Sequence, residues 1–176
     1  MEKFRAFQIN EHEHQIIGTL KDITISDLNE GDVIIKVTHS TINYKDALAA
    51  TGKGKILRRY PLIGGIDLAG VVEKSSTADF KKGDAVLVNG CGLSETRDGG
   101  YAEYARVNKN SIVLIPDNMS AYQVMQIGTA GYTAALAIHR MEQNGQTPKK
   151  GPILVTGATG GVGSVAINML SSKGYE

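Results

Sequence analysis

The stretch TGATGGVGS occupies residues 156–164. It begins at the last residue of a short apolar segment at 152–156, and it ends inside a longer apolar segment at 162–173. Glycines let a backbone turn sharply and approach a pyrophosphate with no Cβ in the way. A helix that begins just after them offers unpaired N–H groups and the positive end of its dipole to a phosphate. The order of strand, glycine loop and helix opens a doubly wound α/β sheet. We therefore predict a strand at 152–156, a helix at 162–173 and a dinucleotide-binding loop between them.

An alternative explanation of the glycines is close packing of a strand against a helix, with no ligand. The loop also departs from the usual dinucleotide fingerprint, because Ala158 stands where the first glycine is expected. The position of the loop between a strand and a helix favours the nucleotide. No Gly-Lys-Ser/Thr follows, which argues against a triphosphate-binding loop.

Residues 4 to about 115 have a different pattern, with short β-prone runs separated by turn signals. The pattern predicts strands at 4–9, 14–20, 32–38, 84–88 and 111–115, and one short helix at 45–50. Such spacing is typical of an antiparallel barrel or sandwich. After Pro116 the apolar spacing becomes helical, with Ser120 as an N-cap and a longer helix at 131–143.

The predicted α/β unit is short. A parallel βαβ unit needs about 30 residues or more, and only about 25 follow residue 152. One strand with one helix leaves a sheet edge and an apolar face uncovered. We therefore expect the chain to be truncated, as part of a longer protein.

Charge and composition exclude several classes of protein. The chain has 176 residues with 19 basic and 18 acidic side chains, so it offers no basic footprint for nucleic acid or an anionic membrane. Its apolar runs are shorter than the ~20 residues of a membrane span. The first residues have no apolar signal region, and the single cysteine, Cys91, forms no internal disulfide. These features predict a cytoplasmic protein with no nucleic-acid or membrane partner.

Four further motifs accompany the glycine loop. They are NYKD at 43–46, GIDLAGVV at 65–72, KGDAV at 82–86 and GGYAEY at 99–104. In this order the motifs resemble the zinc-independent medium-chain dehydrogenases/reductases of the quinone oxidoreductase-like branch. The resemblance implies a GroES-like β-barrel catalytic domain at 1–118 and the first part of a Rossmann dinucleotide-binding domain at 119–176. It also implies a homodimer.

Longer matches narrow the resemblance to one subgroup. The stretches NYKDALA at 43–49, TGKGKI at 51–56, GTAGYTA at 128–134 and VTGATGGVG at 155–163 resemble the acrylyl-CoA reductases. That subgroup reduces the double bond of acryloyl-CoA, a small-molecule substrate, with NADPH. The residue that selects NADP or NAD is expected on the next strand, beyond residue 176, so the sequence does not exclude NAD.

No zinc is expected. In comparison with the zinc-dependent alcohol dehydrogenases, Asn43 stands at the position of a zinc-binding cysteine. Gly65-Ile66-Asp67 stands at the position of their Gly-His-Glu. Cys91 alone cannot build a sulfur site, and the four histidines have no ligand-like spacing. Without a metal to polarise a carbonyl, the acceptor must already be electrophilic, as a conjugated C=C is.

Such a reduction needs a hydrogen-bond donor for the oxyanion that forms on the substrate. The resemblance implies Tyr44 and Asn43 as catalytic residues, with Tyr44 also at the cofactor. Alternatives are a packing role for Tyr44 and a helix cap at Asn43. The predicted cofactor-binding residues also include one outside the glycine loop and five within it: Thr129, Thr159, Gly160, Gly161, Val162 and Gly163.

Other roles in this region remain open. Asp46 and Asp67 are interpreted chiefly as structural hydrogen-bond acceptors. The basic run at 53–59 is either a solvated loop or a clamp for the phosphates of a CoA thioester. For the function, alternatives to enoyl-thioester reduction are an NADPH:quinone oxidoreductase, a non-catalytic dinucleotide-binding protein and a barrel fragment that serves as an interaction module.

Overall fold

The computed structural model describes residues 3–176. The chain divides into two compact units, Met1–Gln126 and Ile127–Glu176. They are called unit 1 and unit 2 below, and each is described by itself.

The described part of unit 1 contains eight strands, one short helix and the start of a longer helix. Its strands are β1 (Phe4–His12), β2 (Gln15–Ile23), β3 (Val33–His39), β4 (Leu62–Ile63), β5 (Asp67–Ser75), β6 (Ala85–Asn89), β7 (Tyr104–Val107) and β8 (Val113–Leu114). Helix α1 (Tyr44–Thr51) lies between β3 and β4, as predicted within a residue at each end. All of the strand pairs are antiparallel.

The strands form two sheets, one in the order β2-β1-β4 and one in the order β7-β3-β5-β6-β8. The segment at 101–103 connects them. Phe7 N donates to Tyr101 O at 2.8 Å, and Val37 N donates to Glu103 O at 2.9 Å. The predicted antiparallel β architecture is therefore confirmed, with two open sheets joined by this segment and no continuous closed ladder among the described strands.

β5 was missed as a strand because the residues that begin it, 67–70, are all buried and do not alternate. The strand lies between β3 and β6 at the centre of the larger sheet. Gly70 is needed there because a Cβ would overlap the carbonyl oxygen of Lys36 on β3. Leu68 and Val72 on this strand belong to the main core with Val33 and Ile35.

Helix α2 (Ala121–Gln143) begins where Ser120 predicts it. Ser120 Oγ accepts from Gln123 N at 3.2 Å. The backbone is not helical at Gly128 (φ 52°, ψ −164°), so the two predicted helices are the two arms of α2. In unit 1, the first arm packs Val124 and Met125 into one cluster with Ala69 and Ile115. Because of this packing, unit 1 extends to Gln126, beyond the domain boundary predicted after residue 118. That boundary stays a prediction.

Unit 2 contains the second arm of α2 and helix α3 (Gly161–Ser172). Ile138 on α2 and Leu170 on α3 form a small apolar core with Tyr175. The predicted helix at 162–173 is therefore confirmed. No helix in the described part of the chain is long and apolar enough to cross a membrane.

The predicted strand at 152–156 is wrong for this structure. Within residues 3–176 this segment joins no ladder. Its single backbone bond to a distant residue runs from Ile153 N to Glu176 O, at 2.7 Å. Leu154 is 90% exposed. A β-strand is stabilised by a neighbouring strand, so apolar, β-branched residues alone are not sufficient.

Candidate active site

The start of α1 is held by Asp46. Asn43 N donates to Asp46 Oδ2 at 2.8 Å, and Ile66 N donates to Asp46 Oδ1 at 3.0 Å. The carboxyl group is buried, and both of its oxygens accept backbone N–H groups. Asp46 therefore caps α1 and ties it to the segment just before β5, which confirms its structural role.

Asp67 is the centre of a polar cluster with Thr41, Asn43 and Asn89, called the Asp67 cluster below. Its Oδ2 accepts from Thr41 Oγ1 at 2.6 Å and from Asn43 Nδ2 at 3.0 Å. Its Oδ1 accepts from Asn89 Nδ2 at 2.9 Å. Asp67 is fully buried, and hydrogen-bond donors on both oxygens offset the cost of burying it. The interpretation of Asp67 as a structural acceptor is confirmed.

Tyr101 closes one side of this region. Its hydroxyl donates to Thr41 O at 2.8 Å. Burial raises the pKa of Tyr101 far above its usual range, and the charges of Asp46 and Asp67 raise it further. The phenol therefore stays protonated and keeps the backbone of Thr41 in place.

Tyr44 differs from Tyr101 in exposure and in hydrogen bonding. It is the first residue of α1 and is 80% exposed. Its hydroxyl makes no hydrogen bond to any residue in 3–176, so it can donate to a ligand. Asn43, beside it, is the N-cap of α1, and its amide nitrogen is engaged by Thr41 and Asp67. The catalytic roles of Tyr44 and Asn43 stay predictions.

The glycine loop in unit 2 leaves donors unpaired at the start of α3. Gly160 N donates to Gly157 O at 3.0 Å, and Ser164 N donates to Gly160 O at 2.9 Å. The N–H groups of Gly161, Val162 and Gly163 have no acceptor in the described chain. Gly160, at the N-cap, has no side chain to supply one. An anion is the natural partner for such a helix start.

Two glycines shape this loop. Gly157 has φ +64°, a conformation that L side chains rarely adopt. At Gly163 a Cβ would overlap the carbonyl oxygen of Gly157, so α3 can begin this close to the loop only with glycine there. Gly160, Gly161 and Val162 are exposed, as is Thr159. This geometry fits a pyrophosphate, and the cofactor role of the loop stays a prediction.

Thr129 lies in unit 2 as well, one residue after the kink at Gly128. Its carbonyl oxygen accepts from Thr133 Oγ1 at 2.7 Å. A Cβ on Gly161 would lie 3.4 Å from the Cβ of the next residue, Ala130. The structure therefore brings the first turn of the second α2 arm to the glycine loop, as a shared cofactor site requires.

Within residues 3–176 no group of three or more His, Cys, Asp or Glu side chains is placed to hold a metal ion. Of the three positions that the resemblance compares with zinc-site residues, 43 and 67 hold an amide and a carboxyl group hydrogen-bonded to each other, and 66 holds an isoleucine.

Sequence reasoning missed three residues here: Thr41, Asn89 and Tyr101. Thr41 precedes Asn43 by two residues, an indication that both serve one site. Asn89 directly follows the predicted strand at 84–88, and Tyr101 was considered only as part of the GGYAEY motif. Neither residue has a local signal, because both reach the site from distant parts of the chain.

The comparison with family models decides the relationship. Residues 29–117 match the alcohol dehydrogenase GroES-like domain. The chain belongs to this family. The GroES-like part covers β3 to β8 and includes Asn43, Tyr44 and the whole Asp67 cluster. The predicted fold class, a GroES-like domain followed by the start of a Rossmann domain, is confirmed.

Relatives of this GroES-like protein place it among the medium-chain dehydrogenases/reductases, as predicted. It is 42% identical over 175 residues to the acrylyl-CoA reductase AcuI of Ruegeria pomeroyi, covering 98% of this chain and 53% of that protein. It is 30% identical over 179 residues to the quinone oxidoreductase of Sus scrofa, covering 100% of this chain and 51% of that protein. The chain spans about half the length of the curated relatives it matches.

Solved structures give the same result. The yhdH oxidoreductase of Salmonella enterica, in complex with NADP, matches with a TM-score of 0.94 and 43% identity, over 98% of this chain and 53% of that one. The Bacillus subtilis protein yhfP, with NAD bound, matches with a TM-score of 0.95 and 47% identity, over 100% of this chain and 54% of that one. This chain therefore has the fold of the part of each relative that it matches.

Proposed function

We propose that the whole protein is an NADPH-dependent oxidoreductase that reduces the conjugated C=C of an enoyl thioester, acryloyl-CoA being the first choice. One observation carries this proposal. An exposed phenol at Tyr44, unpaired among residues 3–176, follows Asn43 of the Asp67 cluster. By the resemblance, Asn43 and Asp67 occupy positions at which the zinc-dependent alcohol dehydrogenases have metal ligands. A hydrogen-bond donor at a site without metal ligands suits a substrate whose conjugated C=C is already electrophilic enough to accept a hydride.

The cofactor part of the proposal rests on unit 2. The N–H groups of Gly161, Val162 and Gly163 would bind the pyrophosphate, and Thr129 and Thr159 would line the same site. When bound, NADPH supplies the hydride. A structure related to this chain holds NADP and another holds NAD, so NADH belongs among the cofactors to be tested.

The chain's own residues would act on the substrate oxygen. The Tyr44 hydroxyl would donate a hydrogen bond to the thioester carbonyl, whose oxygen gains negative charge as the β-carbon is reduced. Asn43 would hold Tyr44 in place, because its amide is anchored in the Asp67 cluster at the start of α1. Tyr44 would act only as a hydrogen-bond donor, and the α-carbon would take its proton from water.

A second candidate function is NADPH:quinone oxidoreduction. It is favoured by the relationship to the quinone oxidoreductase of Sus scrofa and needs no thioester-binding residues. A candidate of another class is a dinucleotide-binding protein without turnover. By the resemblance, the proposal also includes a homodimer in the cytoplasm.

The test follows NADPH oxidation by the full-length protein with acryloyl-CoA and with a benzoquinone. We expect a higher kcat/KM for the thioester. Tyr44→Phe should lower kcat for the thioester by roughly 10–100-fold, since one hydrogen-bond donor to an oxyanion is lost. Its unfolding midpoint should not change, because the Tyr44 side chain is exposed.

Tyr104→Phe is the matched control, since Tyr104 packs edge-on against Phe4 at 5.3 Å, away from α1. A quinone kcat/KM equal to or above the thioester value would reverse the ranking of the two reactions. NADPH binding without turnover of either acceptor would favour the non-catalytic protein.

A further inference from the structure

The loop after α1 carries an excess of positive charge. It contains Lys53, Lys55, Arg58 and Arg59, and residues 47–61 contain no Asp or Glu. All four side chains are exposed. Residues 53–59 are called the basic loop below.

The basic loop is held in one conformation by contacts on both sides of its charges. Leu57 is buried and packs in a cluster with Ala49 on α1 and Leu62 on β4. Arg58 N donates to Glu95 O at 2.8 Å, and Arg59 Nε donates to Thr96 O at 3.1 Å. A loop that is already ordered loses little conformational entropy when it binds a ligand.

The charges of the basic loop are largely uncompensated. Glu95 Oε2 lies 2.7 Å from Lys45 Nζ on α1, and Glu95 Oε1 lies 3.8 Å from Arg58 Nε. Lys53 and Lys55 form no ion pair in the described chain, and Arg59 Nε donates to a neutral carbonyl. The β1–β2 hairpin brings one more carboxylate near: burial raises the pKa of Tyr60 above its usual value, and the charge of Glu11 raises it further. A net positive charge therefore remains on the loop.

Helix α1 separates the basic loop from Tyr44. Tyr44 begins the helix and Thr51 ends it, which places the two ends about 12 Å apart at 1.5 Å per residue. A CoA thioester has the same arrangement of chemical groups. Its reacting acyl group stands at one end of the pantetheine arm, and its diphosphate and 3′-phosphate stand at the other.

We infer that the basic loop binds the phosphates of a CoA thioester whose acyl group lies at the N-terminal end of α1. The inference rests on the proposed function and adds a second binding site within unit 1 to it. Arginine and lysine side chains are suited to phosphate oxygens, because each N–H group donates a charge-assisted hydrogen bond.

The test compares two substrates with the same reacting group, acryloyl-CoA and acryloyl-pantetheine, on the full-length protein. The variant is Lys53→Glu with Lys55→Glu. The control is Lys74→Glu with Lys81→Glu, which makes the same change of net charge at two exposed lysines of unit 1 outside this loop. The quantity measured is the ratio of kcat/KM for acryloyl-CoA to kcat/KM for acryloyl-pantetheine.

We expect the basic-loop variant to lower this ratio about tenfold, since two attractions become two repulsions. The control variant should keep the ratio within about twofold of the wild-type value. Added salt should lower the wild-type ratio more than that of the basic-loop variant, because salt screens exposed charges. An unchanged ratio in the basic-loop variant, or an equal fall in the control, would overturn the inference while leaving the proposed function intact.

If the wild-type protein reduced neither thioester, the proposed function would fail. A titration of the wild-type protein with free CoA then separates the two ideas. Binding that the basic-loop variant loses and the control keeps would support the phosphate site alone, and no binding would overturn it.

Discussion

Asp67 has no exposed surface, yet three side chains donate hydrogen bonds to its two oxygens. Its apolar neighbours in the sequence indicated that Asp67 is buried, and a buried carboxylate needs hydrogen-bond donors. Which residues are the partners was not predictable. Thr41 comes from the segment before α1 and Asn89 from the end of β6, more than 20 positions away on either side.

Replacing Asp67 by Asn tests this cluster. An amide has one oxygen, so the –NH2 group would face either the donor of Asn89 or the donors of Thr41 and Asn43. We expect the free energy of unfolding to fall by about 2–3 kcal/mol, the cost of buried donors left without acceptors. Urea denaturation measures it.

The control for that variant is Asp22→Asn, at an exposed position on β2, where a change within about 0.5 kcal/mol is expected. A loss at Asp67 no larger than the loss at Asp22 would contradict the structural role of the cluster.

At the scale of elements, turn chemistry and helix starts were predictable and strand pairing was not. Ser120 marks the start of α2, and the glycines mark the start of α3, because these signals are local in the sequence. The segment at 152–156 has the composition of a strand and forms none in this structure, since a ladder needs a partner from elsewhere in the chain. β5 was missed for a related reason, because burial on both faces removes the alternation that indicates a strand.

Gly163→Ala tests the glycine loop. A Cβ at this position would overlap the carbonyl oxygen of Gly157, so the start of α3 must move away from the loop. We expect the Kd for NADPH of the full-length protein to rise at least about tenfold, because the three N–H donors are no longer aligned. Fluorescence titration with NADPH measures the change.

Gly161→Ala is the graded comparison for that prediction. Its Cβ would lie 3.4 Å from the Cβ of Ala130, an ordinary contact, and alanine favours a helix over glycine by about 1 kcal/mol. A Kd that rises equally in both variants would mean that the overlap with Gly157 is not what aligns the donors.

At the scale of the whole molecule, long-range ion pairs make stability depend on pH. The hydrogen bond from Lys45 lowers the pKa of Glu95 below its usual value, and the positive charges of Lys45 and Arg58 lower it further. A lowered carboxyl pKa stabilises the folded state above the pKa of the unfolded chain. That stabilisation disappears as the pH falls through the folded pKa.

We therefore expect wild type to be more stable than Glu95→Gln at pH 7 by up to about 1 kcal/mol, a small value because the pair is partly exposed. This difference in stability should shrink as the pH is lowered from 6 to 3, because glutamate side chains of the unfolded chain take up protons in this range. Urea midpoints across this range measure it. Glu30→Gln, at an exposed glutamate outside any ion pair among residues 3–176, is the control, and an equal pH dependence there would exclude Glu95 as the cause.

The sequence by itself determined the features that depend on neighbouring residues. These are the two fold classes along the chain, the helix that Asn43 caps, the glycine loop and the resemblance to its family. The helix start and the glycine loop rest on spacing within a few residues, and the fold classes and the resemblance rest on the order of such local patterns along the chain.

Only the tertiary structure decided which distant groups meet. It joined Asp67 to Asn89, Tyr101 to Thr41 and Glu95 to Lys45, and it left Tyr44 exposed with an unpaired hydroxyl in the described chain. The physical reason is that burial and hydrogen bonding are satisfied between strands far apart in the chain. From the sequence, the same residues are therefore interpreted only as turns, caps or surface charges. Their shared contacts form only when the chain is folded.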